Sequence, residues 1–195
     1  MRISKEETEA NRARVLAAAA RLFREKGVDG IAVADLMKEA GLTHGGFYNH
    51  FQSKEELAAA AFDAAFEAAI ERLHAKIAKA GPRGRRKALE HYVERYLARD
   101  TRDRPGLSCP MATLGADAVR HGAALKTEFA AGVRRYLELF AELMPSKGPR
   151  RRREAIATLS TLIGALTLAR ACAGADDDLS DEVLAVVREK LTSGG

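Results

Sequence analysis

The 195 residues are 47% hydrophobic but only 6% aromatic, with no Trp, and Val, Ile and Thr never alternate over a sustained run. This alanine-rich composition argues against a sheet protein, because Ala loses no side-chain entropy on entering a helix. The net charge of +5 allows an anionic partner without demanding one, no stretch nears about 18 uninterrupted apolar residues, and the polar N-terminus has no apolar core, so neither a membrane span nor a secretory signal is expected.

The first predicted helix covers Glu7 to Lys26, with Val15, Ala18, Ala19, Leu22 and Phe23 at spacings of three and four and Gly27 as its stop. A short second helix carries Val33, Leu36, Met37 and Ala40 and ends at Gly41. Thr43 then caps a third, His44 to His50. Ser53 and Glu56 have capping-box spacing and open a long helix to about Lys79, with Leu57, Phe62, Phe66, Ile70, Leu73 and Ile77 as its apolar stripe.

AGPRGRR is the first break, and a helix from about Arg85 to Arg99 follows. DTRDRPGLS is the longest non-periodic segment and is expected to be flexible. Cys109-Pro110 starts another helix, Pro being tolerated in the first turn. Ala123 to Met144, Arg152 to Ala173 and Ser180 to Leu191 complete about nine helices and no strand. The fold class is all-α, divided as residues 1–56 and 57–195. The basic runs Arg83 to Lys87 and Arg150 to Arg153 oppose the macrodipole at helix starts, so they are expected to fray or to lie outside their helices. Cys109 and Cys172 make no disulfide framework, which suits a reduced cytoplasmic setting.

The stretch GLTHGGFYNHFQSKEEL, residues 41–57, concentrates chemistry-bearing side chains. Gly45-Gly46 lacks the preceding strand and Lys-Ser/Thr of a phosphate loop. His44 and His50 have no Cys or nearby carboxylate to complete a zinc set. Thr43 and Ser53 are explained as caps, not nucleophiles. No metal or cofactor is expected. Two short helices joined by Gly41-Leu42-Thr43 instead form a helix-turn-helix, whose second helix leads into the DNA major groove by its N-terminal end. Phe47 and Phe51 anchor it inward. Tyr48 and Lys54 reach phosphates, and His44, Asn49 and His50 are the remaining polar tips.

From about Asn11 to Leu57 the chain resembles the DNA-binding domain of the TetR family of one-component transcriptional regulators. The resemblance rests on Leu16, Ala19 and Phe23, on Gly27, and on Val33, Asp35 and Leu36. It continues through Ala40-Gly41-Leu42-Thr43, Phe47-Tyr48, His50-Phe51, Ser53-Lys54 and Leu57. It implies a homodimer that binds palindromic operator DNA, usually as a repressor, through residues 1–56. The C-terminal domain, 57–195, would dimerise and take a small-molecule effector that weakens DNA binding. By matching position, Tyr48, His50 and Lys54 contact phosphates, while His44, Gly45, Gly46 and Asn49 face the groove; Thr43 is counted with them as DNA-binding. Two departures concern the second helix: Ala32 stands where a Ser or Thr cap is usual, and Ala34 where a basic or polar residue often contacts the backbone. Arg2, Lys5, Arg12 and Arg14 could compensate from an N-terminal arm.

Effector contacts are expected among Phe62, Phe66, Tyr92, Tyr96, Met111, Leu114, Phe129 and Tyr136. The two-fold interface is expected on Leu159, Leu162, Ile163 and Leu166 with Val183, Leu184 and Val187, making a four-helix bundle. Cys109, at a helix N-terminus whose dipole lowers a thiol pKa, is a candidate redox sensor. An all-helical enzyme or adaptor that keeps the helix-turn-helix as scaffold is the competing reading.

Overall fold

In the computed structural model, which describes residues 5–193, the chain folds as eight α-helices: α1 Lys5–Lys26, α2 Val33–Glu39, α3 Lys54–Tyr96, α4 Arg99–Asp103, α5 Pro110–Arg120, α6 Gly122–Phe140, α7 Gly148–Cys172 and α8 Asp177–Thr192. Short 3₁₀ segments lie at His44–Asn49, Pro105–Leu107 and Ala141–Leu143. No strand occurs among the described residues.

The long α3 is two helices joined at one point. Gly81 has φ 63° and ψ 179°, with Pro82 next to it, so the axis breaks there and the helix resumes at once. The expected gap between Lys79 and Arg85 therefore shrinks to a sharp reversal at Gly81, which brings Lys76 to within 5.9 Å of the Tyr92 ring centre. Arg83 to Lys87 lie inside the helix because carboxylates offset the unfavourable dipole: Arg85 pairs with Glu142 at 3.2 Å and Arg86 with Glu90 at 3.1 Å. Arg150 to Arg153 likewise belong to α7, which begins earlier than expected with Pro149 in its first turn.

The segment expected to be flexible is ordered. Residues 99–107 form α4 and a 3₁₀ turn, and Arg170 of α7 holds them down. Its guanidinium donates to the carbonyls of Arg102 at 3.0 Å and Thr101 at 2.8 Å, and to the Ser108 hydroxyl at 2.6 Å. No apolar periodicity announced this, because the restraint comes from a cation some 70 residues away.

The N-terminal core gathers Val15, Phe23, Leu36, Met37, Phe47, Phe51 and Leu57. It does not stop at residue 56: Phe62 of α3, Leu114 of α5 and Leu125 of α6 belong to the same cluster. A second cluster holds Phe66, Tyr92, Tyr136, Phe140, Leu159, Leu162, Leu166 and Leu184. Leu159, Leu162, Leu166 and Leu184 are thus core of their own subunit, each at most 2% exposed. This corrects their assignment to a dimer face; Ile163, Val183 and Val187 are half-buried beside them.

Candidate nucleic-acid interface and ligand cavity

The turn between α2 and the His44–Asn49 segment needs glycine at Gly41. Its φ is +69°, and a Cβ there would meet the Arg14 guanidinium at 2.6 Å. Arg14 donates to the Gly41 carbonyl at 3.5 Å and bonds Asn11 at 3.2 Å. Lys5, Arg12 and Arg14 therefore sit on α1 and form no separate arm, while Arg2 lies outside the described residues. Arg12 stacks its guanidinium 4.6 Å from the Phe51 ring centre.

The expected α-helix at His44 to His50 is a 3₁₀ helix, two glycines near its start being poor α-formers. Thr43 caps it through the backbone alone: its carbonyl accepts from Gly46 N at 3.0 Å and its side chain makes no cap bond. α2 likewise starts at Ala32 without a side-chain cap. The Ser53 cap is formed, Glu56 N donating to Oγ at 3.1 Å, and the Glu56 carboxylate accepts from Gln52 N at 2.8 Å, one residue before the Ser53 donor that a standard box would use.

The segment has two sides. Phe47 and Phe51 are 1% exposed with ring centres 6.0 Å apart, and they fix the segment on the core. On the other side Thr43, His44, Gly45, Tyr48 and Asn49 face solvent, and Gly46, His50 and Lys54 are half-buried at its margin. Tyr48 is 70% exposed, an apolar ring that the chain itself leaves uncovered. A Cβ added at Gly45 would meet nothing within 4 Å, so nothing inside the chain demands glycine there.

Residues 15–61 match the family model described as bacterial regulatory proteins, tetR family. Two regulators of the helix-turn-helix type, both from Pseudomonas putida, are similar over part of the chain. TtgR is 40% identical over 67 residues, covering 34% of this chain and 32% of TtgR. CymR is 39% identical over 83 residues, 40% of this chain and 41% of CymR. These matches span only about a third to two fifths of the relatives' length. A TetR transcriptional regulator from Chloroflexus aurantiacus J-10-FL superposes with a TM-score of 0.76 at 27% identity, over 96% of this chain and 95% of that one.

Residues 15–61 therefore carry an N-terminal domain of the tetR type. E. coli NemR in its reduced form superposes with a TM-score of 0.73 at 20% identity, over 91% of this chain and 94% of NemR, which speaks for the fold alone.

Beyond the tetR-type N-terminal domain lies a cavity of about 330 Å³. Tyr92, Tyr96 and Tyr136 line it, as the sequence suggested, and so does Cys109. The Tyr92 and Tyr136 hydroxyls share a 2.7 Å hydrogen bond, and burial raises the pKa of all three phenols. Phe62, Phe66, Met111, Leu114 and Phe129 do not reach the cavity. Phe62, Phe66, Met111 and Leu114 are buried core, and Phe129 packs edge-on against Phe66 at 5.6 Å.

Among its other lining residues, Arg72, Lys76, Arg95, Arg104, Asp100 and Ser108 were missed. The available signal was spacing, since Arg72 and Lys76 flank Leu73 on the stripe side of α3 and Arg95 adjoins Tyr96. For Cys109 the electronic expectation reverses. Burial pushes the thiol up and outweighs the Tyr96 hydroxyl and the Ala112 and Met111 N–H groups of the α5 N-terminus, which pull it down.

Proposed function

We propose that this chain is a dimeric, ligand-responsive repressor of the TetR type, binding a palindromic operator through residues 43–54 and released when a small molecule fills the cavity behind α3. The observation that carries the DNA reading is the two-sided 3₁₀ segment. It is pinned by Phe47 and Phe51 and presents His44, Gly45, Tyr48 and Asn49 outward. An enzyme keeping this motif as scaffold would have no use for an exposed aromatic on that side.

In this reading His50, Lys54 and Tyr48 would contact phosphates, and His44, Gly45, Gly46, Asn49 and Thr43 would meet the groove. α7 supports dimerisation. It is long and apolar enough by composition to cross a membrane, a property hidden from a search for uninterrupted apolar runs. Its own subunit covers one side, through Leu159, Leu162 and Leu166, and leaves Ile156, Ser160 and Leu168 bare. α8 adds exposed Leu179 and Val186. A second copy would cover these faces about a two-fold axis.

The test is gel-shift binding to DNA flanking the chain's own gene, in a salt series. Sequence-selective binding is expected. Replacing Tyr48 or Lys54 by Ala should weaken specific and non-specific binding together, with Lys54→Ala lowering the salt slope by about one. Binding no tighter than to random DNA would overturn the reading.

A further inference from the structure

We propose that the cavity takes an organic anion with an aromatic or otherwise apolar body, its charged end gripped by Arg72, Lys76 and Arg95. The proposal rests on the effector-responsive reading above and names the chemical class of that effector.

The lining holds four cations and one carboxylate, and the carboxylate is already engaged: Asp100 pairs with Arg104 at 3.2 Å. Among the described residues Arg72, Lys76 and Arg95 have no acidic partner. They crowd one another instead. The Lys76 pKa is lowered first by burial, then by Arg95 and Arg72. An anion placed among them would relieve that repulsion through charge-assisted contacts.

The interior is suited to a ring. Tyr92 and Tyr96 lie with centres 5.6 Å apart, and the Lys76 ammonium sits 5.9 Å from the Tyr92 ring centre. The Tyr96 hydroxyl is buried in the cavity wall beside Cys109 and has no hydrogen-bond partner of good geometry. Its raised pKa keeps it protonated, so it offers a donor to a ligand oxygen. A buried hydroxyl with only a thiol, a weak partner, beside it is under-satisfied, and a ligand oxygen would complete it. A volume of about 330 Å³ lies at the small end for ligand sites, enough for one or two rings.

The full chain is titrated calorimetrically with 1-naphthoate, 1-naphthyl phosphate and the neutral 1-naphthamide. At least one anion is expected to bind at least about tenfold more tightly than the amide, a difference of about 1.4 kcal/mol. The carboxylate and phosphate arms tell which head group the cations prefer. The Lys76→Gln, Arg95→Gln double variant should lose about tenfold in anion affinity and little for the amide; both side chains are exposed, so its urea midpoint should hold. Tyr96→Phe should cost about fivefold for the anions.

Equal affinity for amide and anions, an unchanged double variant, or no anion binding at millimolar concentration would each overturn the proposal. Anion binding by a chain that ignores operator DNA would support the cavity chemistry while sinking the regulator reading. Operator binding with no anion binding would do the reverse.

Discussion

Arg24 of α1 donates from Nη1 to the Ser108 carbonyl at 3.2 Å, joining residues 84 positions apart. Its Nε bonds the Ala20 carbonyl at 2.7 Å, and burial, reinforced by Arg72, draws its pKa down to about 10. Ser108 lines the cavity and its hydroxyl accepts from Arg170 of α7. One short loop therefore ties the helix that braces the DNA-binding motif to both the ligand cavity and α7. A second clasp lies nearby, where Val28 N donates to the Asp117 carboxylate of α5 at 3.3 Å.

Arg24→Met keeps the aliphatic packing and removes both bonds. Hydrogen bonds from a charged donor contribute about 1.5–3 kcal/mol each, but the substitution also relieves the desolvation of the guanidinium. The net loss should be about 1–2 kcal/mol in urea melts. Operator binding without ligand should persist, whereas its weakening by an anionic ligand should shrink, since allosteric coupling is typically only about 1–3 kcal/mol. An undiminished ligand response in gel shifts would show that the signal does not pass through Ser108.

Gly45→Ala separates folding from DNA contact. A methyl at Gly45 meets nothing within 4 Å, and Ala is the better helix former by up to about 1 kcal/mol. The variant should be as stable as the parent or more so, yet bind operator DNA at least about tenfold more weakly if the backbone must approach a base edge. Phe47→Ala should fail differently, losing about 3–5 kcal/mol of stability from the emptied core site. Urea melts paired with gel shifts distinguish the two; unaltered operator affinity in Gly45→Ala would remove Gly45 from the interface.

The helix-turn-helix was legible because its determinants are local. The positive φ at Gly41, the Ser53 cap and the spacing of Phe47 and Phe51 all operate within a few residues. The cavity was half legible. Its three tyrosines were among the expected effector contacts, but Arg72, Lys76 and Arg95 resemble any solvated helix face until the break at Gly81 folds α3 back on itself. The order of residues 99–107 was not legible at all, being imposed by Arg170 and Arg24 from distant helices. The residues expected at the subunit interface fell partly in the chain's own core for the same reason. Periodicity identifies an apolar stripe on α7 without saying which neighbour covers it.

Cys109 should react slowly. Its thiol pKa is raised by burial, so less of it is thiolate at a given pH than of a free thiol, and the reactive form appears only as pH climbs above the ordinary cysteine range. Alkylation by iodoacetamide at neutral pH, followed by mass spectrometry, should be slower than for free cysteine, with its pH profile moved upward. An operator-bound chain released by electrophiles in the parent and not in Cys109→Ser would restore the sensor role despite that electronic handicap.

The α7 and α8 faces give the sharpest structural test. Leu168 is 60% and Val186 56% exposed, and a Cβ at Gly164 meets nothing within 4 Å of its own subunit. Gly164→Leu should therefore fold without strain and gain helix propensity, since any penalty would arise only against a second copy. Leu168→Glu adds a charge that water tolerates and an apolar interface does not. In light scattering the parent should run at twice the chain mass, and each variant should shift toward the monomer, with weaker binding to a two-half-site operator. Leu162→Ala is the contrasting case: Leu162 is fully buried, so it should lose about 2–5 kcal/mol of stability. Dimers that survive both Gly164→Leu and Leu168→Glu would place the two-fold interface elsewhere on the molecule.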